Sequence, residues 1–270
     1  MNIYYFSGTG NSIAVCKEIQ NHFPDSILVP IAALLQQESI TDVNDAAGIV
    51  FPTYYMDAPD IVKAFLKKTR FKPDAYLFAA VHYGLEPGNS LASVAEILRE
   101  QGSQLAMGWN IQLPDNSILF KTPLKKQPEM HSRLPENVEK LCIAVRNRVT
   151  RAVPPHKRST AISGKLGAFL LRKIAGTMRK RSDKNCTGCG ICMRICPVNN
   201  IFVKEKRAYF SNRCAECFGC IHWCPTRAIR YGLVRVNDRS VYRNPSVTPE
   251  NLEAQKTGHH GSVHPESQSN

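Results

Sequence analysis

Asn2-Ile3-Tyr4-Tyr5-Phe6-Ser7-Gly8-Thr9-Gly10-Asn11-Ser12 decides how the first half of this chain folds. β-branched and aromatic side chains up to Phe6 read as a buried strand, and Ile13, Cys16, Ile19 and Gln20 then keep helical spacing. Gly8 and Gly10 lie between them, so the stretch is strand, tight loop and helix start. The same alternation continues outward. Strand-like apolar runs recur at 26–31, 46–51, 75–82 and 104–111, and helix-period segments lie at 59–70, 89–101 and 135–150. Strands alternating with helices predict a doubly wound, five-stranded parallel sheet, whose ligand sits over the carboxyl ends of the strands. Three loops converge there, at 7–12, 51–57 and 82–88.

Gly8 and Gly10 let the first loop turn its N–H groups inward, while Ser7, Thr9, Asn11 and Ser12 add neutral donors at a positive helix end. Such a cup suits a terminal phosphate. It lacks a Walker Gly-Lys-Ser/Thr and the dinucleotide fingerprint spacing, which disfavours ATP and NAD. The loop resembles the phosphate loop of flavodoxins, which implies flavin mononucleotide (FMN). The later loops offer flat apolar faces with polar edges for its ring, from Pro52, Thr53, Tyr54 and Tyr55 and from His82, Tyr83 and Gly84. The competing reading makes Tyr54, Tyr55 and Tyr83 ordinary loop aromatics.

Eight of the ten cysteines fall into two copies of one spacing. These are Cys186, Cys189, Cys192 and Cys196 before Pro197, and Cys214, Cys217, Cys220 and Cys224 before Pro225. Two-residue gaps let three thiolates of one loop converge on one cubane cluster, while the fourth cysteine ligates the other cluster. One [4Fe-4S] site is therefore assigned to Cys186, Cys189, Cys192 and Cys224. Its twin falls to Cys214, Cys217, Cys220 and Cys196. Structural zinc is the alternative for paired Cys-x-x-Cys, but it needs four ligands and rarely a third cysteine in register. Residues 183–234 resemble a bacterial two-cluster ferredoxin.

Together these features resemble a family of flavodoxin-ferredoxin fusion proteins of anaerobic microbes. The resemblance runs to about residue 249 through 6–12, 51–54, Leu113-Pro114-Asp115-Asn116 and both cysteine runs. It implies a flavodoxin-like FMN domain at 1–150, a basic linker with an amphipathic helix at 151–182, a small α+β ferredoxin domain at 183–234 and a largely disordered tail at 235–270. Asn244-Pro245 and Val247-Thr248 are expected to fold back on the body. The implied function is electron relay between FMN, two [4Fe-4S] clusters and external redox proteins, with tethering raising the effective concentration of donor and acceptor. Two alternatives stand beside it, a flavin-dependent reductase of a small acceptor and a redox-sensing regulator. No catalytic residue is assigned. Met56-Asp57-Ala58-Pro59 departs from the family pattern in having no glycine, and Asp57 reads equally as a helix cap.

Cluster surroundings follow from the same stretch. Ile191, Ile195, Val198, Ile201, Phe202, Ile221 and Ile229 are expected to exclude water, and Lys204, Lys206, Arg207, Arg213, Arg227 and Arg230 to raise cluster potentials. Trp223 reads as packing on a cluster. Cys16 and Cys142 read as core residues.

A formal net charge of +13 is unusual for a carrier, and bound cofactors of this kind would offset roughly six charges and leave it basic. Much of the excess lies at 140–181, a stretch without Asp or Glu. There Leu166, Phe169, Leu170, Ile174 and Met178 keep helical spacing opposite the cations. Three readings compete for it: a connecting helix, a docking face for an acidic redox partner, or a helix lying on anionic lipid. No nucleic-acid motif accompanies the charge, so none is expected as partner. No leader or spanning run is apparent, and the thiols suit a reducing cytoplasm. His259, His260 and His264 read as a solvated tail.

Overall fold

The structure, a computed structural model, describes residues 1–118, 121–160, 162–164, 166, 169, 180–232, 234 and 236–258. Five parallel strands form the main sheet: β1 (Asn2–Tyr5), β2 (Ile27–Pro30), β4 (Ala46–Pro52), β6 (Tyr76–Tyr83) and β7 (Leu105–Gln112), in the order β2-β1-β4-β6-β7. A short parallel pair, β3 (Ile40–Asp42) with β5 (Thr69–Phe71), lies outside it. The connections run outward in both directions from the β1/β4 boundary. This is the flavodoxin-like arrangement, with its switch point between those two strands.

Burial follows strand position. β4 and β6 are nearly continuous apolar runs buried along almost their whole length, as central parallel strands must be, whereas edge strands β2 and β7 are half exposed. Helices α1 (Asn11–His22) and α6 (Leu134–Arg146) contribute Val15, Ile19, Val138 and Leu141 to one core, and Cys16 and Cys142 are buried in it. Helices α3 (Asp60–Lys68) and α4 (Ser90–Glu100) build the other core through Val62, Phe65, Val94 and Leu98.

The cysteine domain is built from two antiparallel strand pairs and two four-residue helices. Strand β8 (Lys180–Ser182) pairs with β11 (Ile229–Tyr231), and β9 (Ile201–Lys204) with β10 (Arg207–Phe210). The linker expected at 151–182 therefore ends before Lys180, because β8 is a strand of the cysteine domain. Within 159–179 Leu166 and Phe169 are exposed, while Leu170, Ile174 and Met178 lie outside the described residues.

The tail expected at 235–270 is ordered over most of its first two dozen residues. Val236, Tyr242, Asn244, Val247, Leu252 and Gln255 are buried, and a C-terminal helix spans Pro249–Thr257. Its start is fixed by Pro249 in the first turn and by a capping box between Thr248 and Asn251. Val247 and Leu252 complete the α1/α6 core. His259, His260 and His264 lie outside the described residues.

Candidate functional site

The two cysteine runs fold as near copies. After each first cysteine the backbone turns left-handed twice, at Gly188 and Gly190 in the first run and at Glu216 and Phe218 in the second. Each run then enters a short helix, Ile191–Arg194 or Gly219–His222. These turns bring the thiols together across the runs. Cys192 is pushed up to about 12 by burial first and then by the charges of Cys224, Cys189 and Cys186 beside it. Cys217 is pushed up to about 11 by burial, with Cys196 and Cys214 adding to it and Lys180 opposing. Cys196, Cys214, Cys217 and Cys220 line one cavity. Each quartet thus takes three sulfurs from one run and the fourth from the other.

Among the described residues no three or more His, Cys, Asp or Glu side chains stand close enough to share one metal ion. A cubane takes one thiolate on each of four irons, so it needs a wider frame than one tetrahedral ion. The donors fit that group. Backbone N–H groups of Asn200, Glu216 and Ala228 donate to the sulfurs of Cys196, Cys214 and Cys224 at 3.3, 3.3 and 3.4 Å. Ile195, Ile201, Ile221 and Ile229 are buried around them, while Phe202 is exposed and stacks on Tyr209.

One expected cation reaches a quartet, Arg227 donating to the carbonyl of Cys224, and one that was not expected lies beside a sulfur. Arg227 pairs with Asp238 and Arg230 with Asp183, at 2.9 and 2.8 Å. Lys180, unremarkable at the end of a basic run, is buried with Nζ 2.8 Å from the Cys214 sulfur. Burial opposes its charge, yet Cys220, Cys214 and Cys217 hold its pKa above the usual lysine value. Trp223 joins the apolar cluster containing Ile195, Val247 and Leu252, with Arg243 over its ring.

The first loop of the sheet domain is covered. Ser7, Thr9, Asn11 and Ser12 are all buried. Gln255 grips Ser7 from both sides, accepting from its N–H at 2.8 Å and donating to its carbonyl at 2.9 Å. Asn244 donates its N–H to the Thr9 carbonyl, and its side chain donates to Asn11 Oδ1 at 3.0 Å. Tyr242 also donates its hydroxyl to Asn11 Oδ1, and Asn11 in turn donates to the Pro114 carbonyl. A Cβ on Gly10 would stand 2.9 Å from Val247, and one on Gly8 only 2.5 Å from the Cys217 carbonyl. The C-terminal segment and the second cysteine loop therefore occupy the switch point.

The ring-contact residues separate. Thr53, Tyr54, Tyr55 and Gly84 line a cavity of about 280 Å³ together with Asp115, Asn116, Glu216, Phe218 and Tyr231. Pro52, His82 and Tyr83 do not line it. His82 is buried beneath the first loop with Nε2 2.9 Å from Ser12 Oγ; that hydroxyl donates to the Phe6 carbonyl at 2.6 Å, so the imidazole is the donor. Burial lowers its pKa to about 3. Asp57 does not line the cavity; it is paired with Lys63 at 2.6 Å and accepts from the Ala58 N–H. Cluster-loop residues Glu216 and Phe218 were missed as cavity walls. Setting the runs side by side would have revealed them, since they stand where the first run has glycine.

A flavodoxin-like parallel sheet carrying a twice-repeated cysteine domain is the class that fold and site define. Residues 178–225 match the 4Fe-4S dicluster domain family, which spans the paired strand β8 and all eight cysteines. No curated protein matches. Among solved structures the chain is similar to rubredoxin oxygen:oxidoreductase from the anaerobe Desulfovibrio gigas, at 14% identity and a TM-score of 0.35 over 54% of this chain and 36% of that one. It spans little more than a third of that protein's length. It is also similar to two-electron reduced Megasphaera elsdenii flavodoxin, at 14% identity and a TM-score of 0.28 over 51% of this chain and 98% of that one. No helix among the described residues is long and apolar enough to cross a membrane.

Proposed function

We propose that this chain is an electron-transfer protein whose two quartets, Cys186/Cys189/Cys192/Cys224 and Cys214/Cys217/Cys220/Cys196, each hold one [4Fe-4S] cluster. The crossing of the fourth cysteine between runs is the observation that carries this reading, because it suits two linked cubanes. When bound, such clusters supply one-electron transfer. The polypeptide excludes water with Ile195, Ile221 and Ile229, directs peptide N–H groups at the sulfurs and places Lys180 beside one quartet only. Cys189 and Cys214 are exposed, which gives each quartet an edge toward a redox partner, and the basic surface favours an acidic one.

The residues fit FMN only in part. The cavity suits a flat ring, but Ser7 to Ser12 present no open cup for its phosphate, so no step is assigned to FMN. The cavity beside Tyr54 favours a second reading, in which the clusters serve a small acceptor bound there.

Anaerobic purification with iron and sulfide analysis and electron paramagnetic resonance of the reduced protein tests the proposal. The expected content is about eight irons per chain, with spin coupling between the reduced clusters. Four irons or fewer, or stoichiometric zinc, would overturn it.

A further inference from the structure

The cavity of about 280 Å³ lies over the carboxyl ends of β4, β6 and β7, displaced from the β1/β4 switch point. One wall is Thr53 to Met56 and the opposite wall is the second cysteine loop. Four of its lining residues, Tyr55, Met56, Glu216 and Phe218, hold left-handed backbone at φ 51, 64, 54 and 54° without being glycine. Among the described residues ten non-glycine positions hold this conformation and four of them line this cavity; such strain is common where side chains face a ligand. The comparison within the chain is direct: Gly188 and Gly190 make the same turns in the first run without strain. In the second run the strained positions place a carboxylate and an aromatic ring on the cavity.

The charge of the walls is equally specific. Glu86, Asp115 and Glu216 line the cavity, and no Lys, Arg or His does among the described residues. A phosphate would find no cation among these described walls. The neutral loop that would otherwise receive it is held shut by Gln255, Asn244 and Val247 on one side and by the Cys217 carbonyl on the other. Pockets for drug-sized ligands span roughly 300–1,000 Å³, so this one has room for a single ring system and little more. Tyr54, Phe218 and Tyr231 supply aromatic surface, and Asn116 supplies a polar edge.

We propose that this cavity binds an uncharged, planar, conjugated carbonyl compound, a flavin ring without phosphate or a quinone, and does not select the phosphorylated form. The occupant would sit against Phe218, the residue after ligand Cys217, and against Asn116, whose Nδ2 lies 3.3 Å from the Cys217 carbonyl. The site is thus wired to the cluster of Cys196, Cys214, Cys217 and Cys220. This inference rests on the electron-transfer reading for its electron supply alone.

The test is anaerobic titration of the full, cluster-loaded chain with lumiflavin, riboflavin and FMN by fluorescence quenching, and with menadione by displacement of lumiflavin. Riboflavin and lumiflavin are expected to saturate the protein at least as tightly as FMN, and displacement by menadione assigns the quinone arm. Leu85→Trp, at an exposed position on the cavity mouth, should weaken lumiflavin at least tenfold. Glu216→Gln should narrow the gap between riboflavin and FMN. Preference for FMN over riboflavin, one FMN retained per chain through gel filtration, or no saturable binding of any probe would each overturn the proposal. Iron content measured on each sample separates these outcomes from failure of the cluster reading.

Discussion

Replacing Gln255 by alanine should release the C-terminal segment from the first loop. Gln255 is fully buried, and among the described residues its amide is the one partner that reaches Ser7 N–H and Ser7 carbonyl together, across 248 residues of sequence. Leaving a buried donor or acceptor unpaired costs about 1–3 kcal/mol, so two such groups cost about 2–6 kcal/mol. The space vacated by the side chain is polar and can admit water, which places the expectation near the low end, about 2–3 kcal/mol. The loss falls on docking of Pro249–Thr257, so it registers as local opening before global unfolding. Amide hydrogen exchange of the cluster-loaded protein, read by mass spectrometry, reports it directly. Exchange in this helix should accelerate roughly 30- to 150-fold, since about 1.4 kcal/mol is tenfold in an opening equilibrium. Gln255→Glu supplies the control: a carboxylate still accepts from Ser7 N–H but faces the Ser7 carbonyl without a proton to donate, so it cannot restore the bridge. Exchange in Gln255→Ala within threefold of the parent would refute the argument that this amide latches the segment.

Four further outcomes are expected. Gly8→Ala forces a Cβ to within 2.5 Å of the Cys217 carbonyl; it should cost about 1–3 kcal/mol at that contact and speed iron loss to a chelator, and an unchanged release rate would contradict it. Cys224→Ser, although in the second run, should remove the cluster of the first quartet, leaving about four irons and no spin coupling; loss of the other cluster would disprove the crossed ligation. Lys180→Met removes the hydrogen bond to Cys214 and should lower the potential of that cluster alone, on the order of 50–100 mV, in an electron paramagnetic resonance titration. His82 has a folded pKa lowered from 6.5 to about 3, so below pH 6.5 the unfolded chain takes up a proton that the folded chain refuses. The stability is complete above pH 6.5 and fades as pH falls toward 3, by about 2 kcal/mol between pH 6.5 and 5; His82→Gln should flatten that slope in denaturant melts at successive pH values.

Much of this was legible from local pattern. Apolar runs and helical spacing place each main strand and helix because burial in a parallel sheet demands continuous apolar strands. Cysteine spacing likewise anticipates which thiols the fold brings together, since a short loop can present them in only a few ways. The C-terminal segment was not legible, because Tyr242, Val247 and Leu252 are isolated apolar residues, and the polar groups of Asn244 and Gln255 find their partners on the first loop. Its one local signal was Thr248-Pro249-Glu250-Asn251, a helix start. Lys180 was hidden for a related reason. Only the pairing of β8 with β11 turns it inward from a run of surface cations. The closed loop at 7–12 shows the opposite error, in which a correct reading of donor chemistry carried no information about what else would reach those donors.

That closure also changes how the two halves of the molecule cooperate. A tether alone would raise the effective concentration of one redox module near another and leave the encounter to diffusion. Here the contact is built in, because Gly8 and Gly219 approach so closely that a Cβ on either would strike the other loop. Ile195 and Trp223 join the core shared by α1 and α6, while Val198 and Cys217 pack on the other face of the sheet. The cysteine domain is therefore held against both cores, and the distance from the cavity wall to Cys217 is fixed by backbone contact. Pre-organisation of this kind removes the search step that a tethered pair of modules would need before an electron could pass between the cavity wall and Cys217.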